Sequence, residues 1–184
     1  MNIISIDEVR VSPASWPRDG VDTSRVEYFV AALSEGEELP PIGVTYYSSG
    51  MYFICDGVHR VVAAREFGLH DIPVVEHQEM LDGWPAGTRG LFECTVTTAL
   101  DRFLTSRSNW LKQLTPSEQR RAALYFLWLA PHFDRQEIAH LVGCTQTEVE
   151  EWSIGADGLP VAPEQRSEGL LRLAPLSRPI VHLT

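Results

Sequence analysis

The sequence contains a single lysine, Lys112, although Lys and Arg together number 15. Its cations are therefore almost all guanidinium groups, which make forked bonds to phosphate and carboxylate. Against them stand 25 Asp and Glu, giving a formal net charge of −10 at pH 7. That balance excludes a protein that coats nucleic acid by bulk charge, so any such contact must be local. Cysteine is scarce as well: Cys55, Cys94 and Cys144 are odd in number and widely spaced. No disulfide framework fits them, and they read as reduced structural thiols. No apolar run approaches the roughly 18 residues of a membrane span, and Met1 to Asp7 lacks a basic leader region. These absences predict a cytoplasmic chain without membrane contact. His70, His77, His132, His140 and His182 lack ligand spacing with acids, so no metal site is expected. The glycine pattern of a serine nucleophile elbow is also missing.

What is present is globular: 44% hydrophobic residues, 22% charged residues and five tryptophans. Trp84, Trp110 and Trp128 read as core residues. The pattern predicts an α+β protein, with a small mixed-sheet domain over 1–96, an all-α helix-turn-helix subdomain over 97–154 and a Pro/Leu-rich tail over 155–184. Short β-type runs are expected at Asn2 to Ile6, extending toward Val11, at Ile42 to Tyr47, at Tyr52 to Cys55 and at Ile72 to Glu76. A helix begins near Ser24, where Ser24 and Glu27 have capping-box spacing, and a second runs from Val58 to Phe67 and stops at Gly68. Met80 to Gly90 reads as a loop, and Leu91 to Val96 as a strand or the start of a helix. Farther on, Thr115, Asp134 and Thr145 each precede a Glu by three residues and mark three helix starts.

Two constellations carry chemistry. In Tyr52 to Ala64 a strand passes through Asp56-Gly57 directly into a helix. Such a turn aims free backbone N–H groups and the positive helix end at one spot, an anion site. Gly57 permits close approach, and His59 and Arg60 in the first helical turn can add charge-assisted bonds to phosphate oxygens. Asp56 could hold a metal ion on a triphosphate or, if the chain is an enzyme, act as a general base. The competing reading is a solvated turn in which Arg60 pairs with a carboxylate.

The second constellation lies between Asp134 and Trp152. Ala139 and Gly143 stand four apart, and Ile138, Val142, Cys144, Val149 and Trp152 take the inward positions of helix, tight turn and helix. The second helix would present Thr145, Gln146 and Thr147, of which Gln146 can read an adenine edge. It also presents Glu148, Glu150 and Glu151 without a cation, so a helical module that meets another protein fits equally well. A local basic patch favours DNA. From Asp101 to Arg121, five cations (Arg102, Arg107, Lys112, Arg120 and Arg121) face two carboxylates. Arg107-Ser108-Asn109 could form a second phosphate clamp.

Asp56-Gly57-Val58-His59-Arg60-Val61-Val62-Ala63-Ala64, preceded by Pro41-Ile42-Gly43-Val44 and followed by Gly68 and Ile72-Pro73-Val74, resembles the N-terminal domain of ParB partition proteins, the ParB/sulfiredoxin fold. The resemblance extends through the helix-turn-helix, from about Ile3 to Trp152. Leu39-Pro40-Pro41-Ile42, Asp56 to Arg60, and Asn109 before Leu114-Thr115-Pro116 resemble regulators of the StrR type.

The resemblance implies a nucleoside triphosphate, ATP or CTP, with Mg2+ as its companion. It places phosphates at Gly57, His59 and Arg60, with Arg107 and Asn109 at the family's second phosphate motif. It implies a regulator switched by nucleotide, and the basic patch and second helix read above would meet DNA through Arg120, Arg121, Thr145, Gln146 and Thr147. Protein contact through the acidic helix or the tail, and a homodimer, are also compatible with it. Sulfiredoxin activity is excluded, because Val58 stands where that chemistry needs cysteine. A small-molecule kinase using Asp56 is the alternative, weakened because the region from Pro13 to Pro17 offers no catalytic glutamate. A protein-binding module that has lost both activities is the third reading.

Overall fold

The computed structural model describes residues 2–12, 14–47, 50–77, 91–106, 112–131, 133–155 and 158–161, with 91–94 described by their backbone alone. The loop expected at Met80 to Gly90, the Arg107-Ser108-Asn109 clamp, Trp84, Trp110 and most of the tail lie outside them. Within them the protein is α+β. Five strands, β1 (Asn2–Ser5), β2 (Val9–Arg10), β3 (Ile42–Tyr47), β4 (Met51–Asp56) and β5 (Asp71–Glu76), form one mixed sheet in the order β1-β5-β3-β4-β2. Six α-helices accompany it: α1 (Thr23–Ser34), α2 (Val58–Phe67), α3 (Leu91–Thr105), α4 (Pro116–Leu129), α5 (Arg135–Val142) and α6 (Gln146–Ser153).

The first strand is shorter than the sequence suggests. After Ser5 the chain makes a 3-10 turn at Ile6–Glu8, with the Ser5 hydroxyl accepting from the Asp7 N–H. It then re-enters the sheet as β2, parallel to β4 at the opposite edge from β1. β3 and β4 form the expected hairpin, with Val44 opposite Ile54 and Thr45 opposite Phe53. Four consecutive β3 residues, Ile42 to Thr45, are buried. A run buried on both side-chain directions means that the sheet centre is covered on both faces. Leu91 to Val96 is helical: it is the first part of α3, which lies against β3 and β4.

Helix α1 starts one residue earlier than Ser24, and Asp22 is its cap. The Asp22 carboxylate accepts from the Ser24 N–H at 3.2 Å and from the Ser24 hydroxyl at 2.6 Å. A carboxylate one turn-step earlier thus displaces the Ser24–Glu27 box, while Thr115 and Thr145 do form complete boxes with Glu118 and Glu148. Asp134 caps α5 through the Gln136 N–H.

One hydrophobic core runs from Ile4 in β1 to Val149 in α6. Phe53, Phe103 and Phe126 are among its largest fully buried side chains. Ile138, Ala139, Val142 and Val149 are buried as their spacing predicts, with Cys144 and Trp152 packed partly against them. Trp128 departs from expectation and is 40% exposed, because it falls on the outer face of α4 while its neighbours Tyr125 and Leu129 face inward. Burial pushes the Cys55 thiol up to about 12, which suits the inert structural role read for it. Among the described residues no helix is long and apolar enough to cross a membrane.

Candidate functional site

β4 ends at Asp56, and the next residue, Gly57, has φ +95° and serves as the N-cap of α2. A glycine makes no side-chain cap, and the first turn of α2 contains no acid. The opening N–H groups of this helix therefore keep their partial positive charge directed outward. Gly57 is irreplaceable for a second reason. A Cβ there would lie 2.7 Å from the Arg60 Nη2 and 2.7 Å from the Ile42 Cγ2.

That closeness reflects how Arg60 is held. Its Nη2 donates to the Asp56 Oδ2 at 2.7 Å, and its Nη1 donates to the carbonyls of Pro40 and Pro41 at 3.1 and 2.8 Å. The side chain is 13% exposed. Arg60 thus folds back over the glycine turn and ties the Pro40-Pro41 loop to it, as the competing reading of the sequence anticipated in part. The partner is the carboxylate at the turn itself.

His59, also in the first turn of α2, points its Nε2 at the start of α1. The Asp22 N–H donates to that atom at 3.0 Å. An accepting Nε2 requires a neutral ring with its proton on Nδ1. Burial first, and then the positive charge of Arg25, hold the His59 pKa below the ordinary histidine value. The bond latches the beginnings of α1 and α2 together. Because His59 titrates lower in the folded chain than in the unfolded one, the unfolded state takes up more protons as pH falls. The stability it contributes is full above about pH 6.5 and is lost as pH drops through its folded value. Melting temperature should therefore fall between pH 7.5 and 5.5, and less steeply in His59→Gln, which can accept but does not titrate. Identical slopes in the two proteins would contradict this.

Between the two helix starts opens a cleft of about 130 Å³. Asp56 to Arg60 form one side, Asp22, Arg25 and Phe29 of the α1 region another, and Trp16, Arg18, Gly20 and Lys112 the rest. The Trp16 ring is 7% exposed and meets His59 and Phe103 edge-on. Its indole N–H has no hydrogen-bond partner among the described residues, an orphaned donor on the wall of the cleft. The Arg18 guanidinium lies over the Phe103 ring, donates to the Lys112 carbonyl at 2.7 Å and sits 3.7 Å from the Glu118 carboxylate. Burial lowers its pKa, with Glu118 acting in the opposite sense.

The segment 16–20 joins this cleft to the helices beyond it. Glu118 at the start of α4 accepts from the Asp19 N–H at 3.2 Å while closing its own capping box with Thr115. Arg121 donates to the Pro17 carbonyl and, at 2.7 Å, to the Asp19 carboxylate. Arg121 is thereby a brace between α4 and the cleft wall. Arg121→Ala should cost about 1–3 kcal/mol, since it leaves a partly buried carbonyl without its donor. Arg120→Ala, at an exposed position, should stay within about 0.5 kcal/mol. Urea unfolding of both variants checks the contrast.

Of the other residues singled out in the sequence, Thr145 is the α6 cap, and its hydroxyl donates to Glu148 at 2.8 Å. The Gln146 side chain donates to Glu150 at 2.8 Å, and Thr147 is exposed. Arg107 and Asn109 lie outside the described residues. The structure thus brings together Asp56, Gly57, His59 and Arg60, while Arg120 and Thr145 to Thr147 belong to the helical part. Trp16, Arg18 and Arg25 also line the cleft, although no motif of the sequence marks them for it. Arg25 did carry a signal, being a cation in the first turn of a helix, where the dipole disfavours positive charge.

Residues 1–81 match the family model of the ParB N-terminal domain. A comparison with curated proteins finds no match. Among solved structures, the chain is similar to the C-terminally truncated chromosome-partitioning protein ParB from Caulobacter crescentus complexed to the centromeric parS site. That match has 19% identity and a TM-score of 0.45, and covers 83% of this chain and 70% of that one. The same ParB complexed with CTP-gamma-S matches at 17% identity and a TM-score of 0.41, over 85% of this chain and 80% of that one. Sulfiredoxin from Arabidopsis thaliana matches at 22% identity and a TM-score of 0.36, over 43% of this chain and 88% of that one.

Proposed function

Taking residues 1–81 as a ParB N-terminal domain, we propose that this chain is a regulator that binds a nucleoside triphosphate in the cleft and passes its presence to the helical part. The observation that carries the reading is the uncapped start of α2 at Gly57, opening into a cleft walled by Arg18, Arg25, Arg60 and Lys112. Free N–H groups at a helix start, with cations around them, favour phosphate. The phosphates sit over Gly57 to Arg60, with His59 offering its Nδ1–H. Arg60 keeps the turn in shape through Asp56 and the proline carbonyls. Arg107 and Asn109 supply the second phosphate motif. Mg2+ would arrive with the phosphates, and Asp22 and Asp56 are the carboxylates on the cleft that suit it. ATP and CTP are the nucleotides to compare.

The relay runs through Arg18 and Glu118. A phosphate that draws on Arg18 competes with the Glu118 carboxylate, and Glu118 also holds the start of α4 and the Asp19 N–H. Nucleotide then biases how helices α4 to α6 sit on the sheet domain. In this reading Arg120 and the α6 start, Thr145 to Thr147, face DNA, and Arg121 holds the joint on which they ride. Fluorescence anisotropy of a labelled duplex, with and without CTP or ATP, tests it. DNA affinity should change several-fold with nucleotide, weaken with salt and drop in Arg120→Ala. Affinity indifferent to nucleotide would overturn the switch.

A further inference from the structure

The cations around the cleft are not equivalent. Arg60 is committed to Asp56 and two carbonyls, Arg18 to the Lys112 carbonyl and the neighbourhood of Glu118, and Lys112 stands 3.9 Å from the Asp22 carboxylate. Arg25 is different: it lines the cleft and is exposed, and while its backbone N–H donates to the Asp22 carbonyl, its guanidinium has no hydrogen bond or ion pair among the described residues. Its position is also unfavourable for α1. Thr23 begins the helix and Arg25 is its third residue, where the dipole favours an acid and penalises a cation. Residues that break a local rule without compensation mark functional positions.

Its charge is felt across the cleft. Arg25 is the leading charge that depresses His59, and it acts on Arg18 in the same sense. Three groups on three segments, Arg18 before α1, Arg25 in α1 and His59 in α2, therefore face one another with like-signed or protonatable heads. The start of α2 adds a further positive end to the same space. Like charges converging on one space, with one of them unpaired, are relieved by a multiply charged anion.

We infer that Arg25 is the specificity residue of this cleft, the side chain that takes the outer phosphates of a polyphosphate chain whose inner phosphate rests on the start of α2. The inference rests on the reading of the cleft as a nucleotide site and adds what that reading leaves open, namely how a triphosphate is distinguished from a monophosphate. Arg25 sits on the helix facing Gly57 to Arg60, so an anion short enough to stay on the α2 turn does not need it. A chain of phosphates crossing the cleft meets it with a planar, two-pronged donor.

Calorimetric titration of the full chain with CTP, CMP and inorganic tripolyphosphate, in the wild type, Arg25→Ala and Arg25→Lys, tests this. Arg25→Ala should weaken CTP and tripolyphosphate by about 10- to 100-fold, the effect of one charged hydrogen-bonding group. CMP should change less than about two-fold, and Arg25→Lys should recover part of the loss. Folding is no obstacle, because removing a cation from a helix start leaves stability equal or slightly raised, which a melting curve checks. If the wild type binds CTP and Arg25→Ala weakens CTP and CMP alike, or neither, the inference is wrong and the nucleotide site stands. If the wild type binds none of the three, the nucleotide reading fails and takes the inference with it.

Discussion

Gly57→Ala should lower stability by about 2–5 kcal/mol and remove ligand binding at the cleft. One part of the cost is conformational, since a residue with a Cβ pays about 1–2 kcal/mol in the left-handed region that Gly57 occupies at φ +95°. The other part is steric. The new methyl would stand 2.7 Å from both the Arg60 guanidinium and the Ile42 Cγ2. Ile42 is fully buried, so the turn itself must shift away from it, and the Arg60 guanidinium, displaced by the same methyl, loses its bonds to Asp56 and to the Pro40 and Pro41 carbonyls. Overpacking of this kind adds about 1–3 kcal/mol. Gly68→Ala is the control. It ends α2 at φ +90° with nothing within 4 Å of its Cβ, so only the conformational part applies. Thermal unfolding should show a drop of roughly 4–20 °C for Gly57→Ala, at about 2–4 °C per kcal/mol in a chain of this size. Equal drops at the two glycines would mean that the contact with Arg60 and Ile42 carries no weight.

Phe103→Ala should be the most damaging single truncation near the site. Phe103 is fully buried in α3, its ring lies edge-on to Trp16 with centroids 5.0 Å apart, and the Arg18 guanidinium is 5.6 Å from its centroid. Removing a buried phenyl costs about 3–5 kcal/mol, or roughly 6–20 °C in melting temperature. The loss should not be confined to stability. Trp16 and Arg18 form one wall of the cleft, and both rest on this ring. Phe126→Ala provides the comparison: Phe126 is equally buried, in α4, and packs on Phe133 rather than on the cleft wall. The two variants should lose similar stability, while nucleotide affinity, measured below both melting points, should fall only in Phe103→Ala. A fall in both would show that the wall is held by the core as a whole rather than by this contact.

The local elements of this fold are written into short sequence patterns. Val58 to Phe67, bounded by Gly57 and Gly68, appears as a helix with those limits because both glycines take positive φ and no competing cap exists. The Thr115 and Thr145 boxes form because each threonine has its glutamate three residues on. Where the reading failed, a choice between near-equal local options was settled by something one or two residues away or by distant packing. Asp22 won the α1 cap from Ser24 because a carboxylate sits where the chain enters the helix. Leu91 to Val96, ambiguous by period, became helical in α3, whose buried Val96, Ala99, Leu100 and Phe103 recur at helical spacing.

The candidate site was legible in the same uneven way. Gly57, His59 and Arg60 are adjacent in sequence, and their turn is recognisable from it. Arg18, Arg25 and Trp16 reach the cleft only because α1 and the segment before it fold back onto α2, a long-range arrangement that no local motif encodes. For the same reason the brace made by Arg121 and the hold of the Pro40 and Pro41 carbonyls on Arg60 could not be read in advance, although the pairing of Arg60 with a carboxylate could. Whether a guanidinium is available to a ligand depends on partners such as Pro40, Pro41, Pro17 and Asp19, which neither position specifies by spacing.

Thermal unfolding of the full chain with CTP or ATP and Mg2+ over a range of concentrations decides whether the cleft at the start of α2 is a nucleotide site. A ligand that binds only the folded state at about 100 times its Kd adds about 2.7 kcal/mol, or roughly 5–10 °C here. Such a rise is expected with one of the two nucleotides, absent in Gly57→Ala and present in Arg120→Ala. Melting curves that stay superimposed up to millimolar nucleotide would contradict it.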